Sequence, residues 1–100
     1  MTTFSKKIEE KIAAAPMGEE ITTACLDILD LLLDKNIAYG NSALEPVRIF
    51  STASTKEQIL VRVDDKLSRI QRGSEYPGDD TVNDLIGYLV LLKVAMTENQ

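Results

Sequence analysis

The segment Asp79-Asp80-Thr81-Val82-Asn83-Asp84-Leu85-Ile86-Gly87-Tyr88-Leu89-Val90-Leu91-Leu92 constrains this chain more than any other stretch. From Leu85 onward it reads as a helix that is apolar on nearly every side, and such a helix is normally buried. Asp80, Asp84 and Tyr88 recur at i, i+4 and i+8, so they rise along one face. A carboxylate buried on such a helix is costly unless it is paired or ligated. Asp84 must therefore meet something: a salt bridge to Arg62 or Arg69, a metal ion, or a bound ligand.

Composition narrows the classes. A chain of 100 residues is expected to form a single domain, 1–100, with one modest core. Aromatic residues make up only 5% while Leu, Ile and Ala abound, which favours helices over a β-sandwich. The net charge of −5 disfavours duplex nucleic acid, whose phosphates need a basic surface, but leaves room for a small anion in a local basic pocket. The sequence has no histidine, which excludes Ser-His-Asp triads, Cys-His pairs and histidine-ligated zinc. Cys25, the single cysteine, lies in an apolar stretch and is expected to be a buried, inert thiol. The first fifteen residues lack the apolar segment of a signal peptide. The apolar run 85–96 is shorter than the roughly 20 residues a bilayer-spanning helix needs. A soluble, intracellular protein is expected.

The local pattern predicts an all-α fold, a small bundle of three to four helices with a long functional loop between the second and third. Phe4 to Ala14 forms a first short helix, punctuated by Pro16 and Gly18. Glu19 to Lys35 forms the second. Its apolar stripe is Ile21, Ala24, Cys25, Ile28 and Leu32, widened by Leu29 and Leu33. Residues 36–53 are expected to be irregular, broken by Gly40 and Pro46. Ser54-Thr55-Lys56-Glu57 is a capping box that starts the third helix, which Gly73 ends. The core face of that helix is Ile59 or Leu60, with Val63, Leu67 and Ile70. Asp79 is expected to cap the fourth helix, which runs to about Met96.

Three groups of residues can carry chemistry. Arg62, Asp65, Lys66 and Arg69 lie at i, i+3, i+4 and i+7. They form either a solvated charged stripe or, facing Asp80 and Asp84 across a helix-helix groove, a site where Arg and Lys hold phosphate and the acids hold a divalent cation. Asp79 and Asp80 fit the positive end of a helix, an effect of about 0.5–2 kcal/mol. Lys35-Asn36-Ile37-Ala38-Tyr39-Gly40-Asn41-Ser42 fits a helix C-cap, but Tyr39 and Asn41 beside Gly40 also suit a nucleobase.

These segments together, Lys-Asn-x-x-Tyr-Gly-Asn-Ser at 35–42, Arg-x-Asp-Asp-Lys-Leu-Ser-Arg-Ile at 62–70 and Asp-Asp-Thr-Val-Asn-Asp-Leu-Ile-Gly-Tyr at 79–88, resemble the nucleotide modification associated domain family. The resemblance covers roughly residues 25–95. That family of small helical phage and prophage proteins is in turn similar to the MazG-like nucleotide pyrophosphohydrolases, which bind magnesium through Glu-Glu-x-x-Glu and Glu-x-x-Asp. The present chain departs from that acid pattern: Asp80 and Asp84 are spaced i,i+4 rather than i,i+3, and neither Glu9-Glu10 nor Glu19-Glu20 continues as required.

The resemblance implies a phage protein, working in the cytoplasm of an infected bacterium and linked to nucleotides. The leading expectation is a protein that binds a nucleotide or cyclic nucleotide signal and sequesters it against host defence, without strong catalysis. Its expected ligand-binding residues are Lys35, Asn36, Tyr39, Gly40, Asn41, Ser42, Arg62, Lys66, Arg69 and Tyr88. The alternative is a magnesium-dependent pyrophosphohydrolase with Asp65, Asp80 and Asp84 as metal ligands. A third reading is a protein-interaction inhibitor of a host factor. The apolar last helix further predicts a homo-oligomer.

Overall fold

The computed structural model describes residues 4–41, 44, 51–73 and 80–98. It is all-α: the described residues form four helices, α1 (Lys6–Ala14), α2 (Gly18–Tyr39), α3 (Thr55–Arg72) and α4 (Thr81–Glu98), with no strand among them. Two compact units divide the chain, Met1–Leu33 and Asp34–Gln100, and the division falls within α2.

In the first unit Ser5 caps α1, its Oγ accepting from the Ile8 N–H at 3.2 Å. The Ala15 N–H donates to the Lys11 carbonyl and closes the helix, and the Gly18 N–H donates to Ala15 to start the next. Gly18 is buried, and a Cβ there would collide with the Ile12 carbonyl, so the tight α1–α2 corner requires glycine. Glu19 and Glu20 complement the N-terminal end of α2. Ile28 is the one buried side chain on the expected α2 stripe, whereas Ile21 and Leu29 are exposed. Cys25 is exposed as well, contrary to expectation, because its side of α2 is uncovered.

In the second unit α2 continues past Lys35 to Tyr39, so the irregular segment starts later than its turn-forming residues suggested. Asn36 is a weak breaker, and termination waits for Gly40, which takes the left-handed conformation at φ 65°. Of the expected loop, Ser42, Ala43 and residues 45–50 lie outside the described residues. Helix α3 starts as its capping box predicts: Ser54 Oγ accepts from the Glu57 N–H at 3.1 Å. It ends at Gly73, also left-handed at φ 66°, whose N–H reaches the Arg69 and Ile70 carbonyls. Asp80 caps α4. Its Oδ1 accepts from the Asn83 N–H at 3.0 Å and its Oδ2 accepts from the Asn83 side-chain amide at 2.7 Å, while Asp79 lies outside the described residues.

Helices α3 and α4 form an antiparallel pair, since Arg62 meets Tyr88 while the later Lys66 meets the earlier Asp84. Their core is Ile59, Val63 and Ala95, surrounded by Leu44, Leu85, Tyr88, Leu91 and Leu92. Ile59 is only 1% exposed, so it rather than Leu60 faces inward. The C-terminal half of the expected α3 core face is not covered: Leu67 and Ile70 are exposed. Nor is α4 buried all round, for Val82, Ile86, Leu89, Val90, Val94 and Met96 are exposed. A two-helix pair covers one side of each helix, and α4 is apolar on more than one.

Candidate functional site

The 3.6-residue repeat of α3 brings Gln58, Arg62, Asp65 and Lys66 to one side, where they meet Tyr88 of α4. Together with Glu57 and the segment before α3 these residues line a cavity of about 600 Å³. The Arg62 guanidinium carbon stands 5.8 Å from the centroid of the Tyr88 ring, within range of a cation–π contact. Among the described residues Arg62 makes no ion pair, so its donors remain available to an anion.

Lys66 is the most enclosed cation of the site, with its side chain 14% exposed. Its ammonium lies 3.9 Å from Asp65 Oδ2 and 3.7 Å from Asp84 Oδ2, both longer than a hydrogen bond. Lys35, from the end of α2, reaches Asp84 Oδ1 at 3.5 Å. Arg69 Nε lies 3.3 Å from Asp65 Oδ2, an i,i+4 pair along α3. Lys35, Asp84, Lys66, Asp65 and Arg69 thus form one chain of alternating charge. The partner of Asp84 is lysine rather than the expected Arg62 or Arg69. The antiparallel register sets Asp84 level with Lys66, while Arg62 is a turn away beside Tyr88. Asp84 is not deeply buried either, since its side chain is 31% exposed.

Of the expected ligand-binding residues, Arg62, Lys66 and Tyr88 line the cavity, while Lys35 and Arg69 connect to it through Asp84 and Asp65. The described residues of the α2 exit beyond Lys35 do not join them. Asn36 spends its amide on the Gly40 carbonyl at 3.2 Å, the Asn41 carbonyl accepts from the Leu44 N–H, and Tyr39 stands 73% exposed. None of Asn36, Tyr39, Gly40 and Asn41 is among the described lining residues, and Ser42 lies outside the described part. Ser51, Glu57 and Gln58 line the cavity without having been anticipated. Gln58 could have been found by extending the Arg62–Lys66 stripe one turn backward.

The three acids do not fit a magnesium site. Asp80 is engaged as a helix cap, and the Lys66 ammonium lies between Asp65 and Asp84. Among the described residues no group of three or more Asp, Glu, Cys or His side chains is placed to hold a metal ion. Nor is any helix of the described residues long and apolar enough to cross a membrane. No protein-family model, curated protein or solved structure matches the chain.

Proposed function

We propose that this is a phage-type nucleotide-binding protein that holds a nucleotide or cyclic nucleotide in the α3–α4 cavity and removes it from circulation, countering host defence, without strong catalysis. The observation that carries this reading is the placement of Arg62, Lys66 and Tyr88 around one cavity of about 600 Å³. Tyr88 offers an aromatic face for a base, a contact worth about 1–3 kcal/mol in nucleic-acid proteins. Arg62 offers a planar fork of donors that suits phosphate oxygens, and Lys66 adds a point charge behind it. Glu57 and Asp65 balance these two cations, so the lining favours a ligand of few negative charges over a highly charged one. The phage and nucleotide assignments also draw on the three-motif resemblance, two of whose segments supply the cavity residues.

The reading is tested by incubating the protein with nucleoside mono- and triphosphates and cyclic dinucleotides, with and without magnesium, then heating it and analysing the supernatant. A ligand withdrawn before heating and returned intact afterwards supports sequestration. Magnesium-dependent conversion to a monophosphate and pyrophosphate would replace it with hydrolysis. Withdrawal of none of these compounds would leave the interaction-module reading in its place.

A further inference from the structure

Pairing with α3 uses one side of α4 and leaves the other bare. Val82, Ile86, Leu89 and Met96 on that bare side are 55%, 39%, 45% and 49% exposed. They are not scattered: with Lys93 they recur at alternating steps of four and three residues, which is the spacing of a coiled-coil seam. In this frame Ile86 takes an a position and Leu89 a d position. Lys93 falls at the next a position, where a single polar residue sets register at some cost in stability. With Val90 alongside, the apolar part of this surface is on the order of 400 Å², at the scale of a functional patch rather than of random exposure. A stable dimer buries about 800 Å² per partner, somewhat more than half of it apolar, so the patch supplies what such an interface needs.

We propose that this face of α4 is a homodimer interface, on which α4 of a second copy packs antiparallel. A two-fold contact requires a self-complementary surface, and the heptad seam is one. Charge decides the direction. Parallel packing would set Lys93 against Lys93. Antiparallel packing, with Ile86 against Leu89, sets Lys93 of one copy beside Val82 of the other. Antiparallel helices also oppose their dipoles. Ala95 of the core lies on the opposite side of α4, while Leu85 and Leu92 flank the interface.

Sedimentation equilibrium of the full chain should give twice the 11.1 kDa of one copy. Leu89→Lys should raise the dissociation constant at least about 100-fold, with the helical circular dichroism unchanged because Leu89 lies off the α3–α4 core. Orientation is read by oxidation in a Cys25→Ser background. Val82→Cys combined with Lys93→Cys should give a cross-linked dimer, and Lys93→Cys alone should not, because the two copies of residue 93 stand about 16 Å apart along the axis, beyond disulfide reach. A monomer at every concentration would overturn the proposal. So would a dimer that survives Leu89→Lys but is broken by Leu29→Lys on α2. Cross-linking through Lys93→Cys alone would overturn the antiparallel arrangement.

Discussion

Arg62 and Tyr88, one from each helix of the α3–α4 pair, stand 5.8 Å apart from guanidinium carbon to ring centroid and share one cavity. The contact joins a cation that makes no ion pair among the described residues to an aromatic face that is half-buried against the core. Tyr88 is positioned by packing with α3, so its ring is fixed before any ligand arrives. Arg62 sits on an exposed surface of α3 and can move to an anion at little cost, since an exposed cation–π contact is worth only about 0.5–1 kcal/mol.

Tyr88 separates stacking from hydrogen bonding. Tyr88→Phe should keep nucleotide affinity within about threefold, because the ring face is retained. Tyr88→Leu should weaken it about 10-fold to 100-fold, the range set by base–aromatic stacking. Fluorescence titration of both variants checks this, and equal losses would show that the hydroxyl rather than the ring makes the contact.

Asp84 is predicted to support the site without touching the ligand. Asp84→Asn releases both Lys35 and Lys66, and because the acid is partly exposed the stability loss should be only about 1 kcal/mol. Nucleotide affinity should hold or rise, since Lys66 loses a competing carboxylate. Urea denaturation and ligand titration of the same variant test the two halves separately. Normal stability with abolished binding would instead make Asp84 a ligand contact.

The core should answer to mutation unequally along α3. Ile59→Ala opens a void at a 1% exposed position and should cost about 2–5 kcal/mol. Leu67→Ala, at a 49% exposed position, should change stability by no more than about 0.5 kcal/mol. Urea unfolding midpoints compare them, and a large loss at Leu67 would mean that another surface covers it.

Gly18 should resist a replacement that usually helps helices. Glycine to alanine within a helix ordinarily gains about 1 kcal/mol. At Gly18 the new methyl meets the Ile12 carbonyl, so Gly18→Ala should instead destabilise the α1–α2 corner by about 1–3 kcal/mol. Thermal melts followed by circular dichroism distinguish the two signs.

Local signals were legible in the sequence where a single residue decides the geometry. Ser54 and Gly73 bound α3 as read, because a hydroxyl cap and a left-handed glycine act without tertiary help. The stripe holding Arg62, Lys66 and Arg69 was equally plain from helical spacing. Pairing across helices was not. Which cation meets Asp84 depends on the register of α3 against α4, and neither helix carries that register in its own periodicity. Helix α4 shows the same limit: apolar on nearly every side, it has no pattern to say which side α3 covers. The second α4 side, expected to be covered by self-association, is exposed in the single chain. The acids misled for a related reason, since spacing along one helix gave no warning that Lys66 would stand between Asp65 and Asp84.

The most direct measurement is a calorimetric titration of the parent protein and Arg62→Ala with one retained nucleotide, in the absence of magnesium. Loss of a charge-assisted contact worth about 1.5–3 kcal/mol should weaken binding roughly 10-fold to 100-fold in Arg62→Ala while its thermal stability stays within about 0.5 kcal/mol of the parent. Equal affinity in the two proteins would contradict the account, because the nucleotide would then be held somewhere other than the Arg62–Tyr88 cavity.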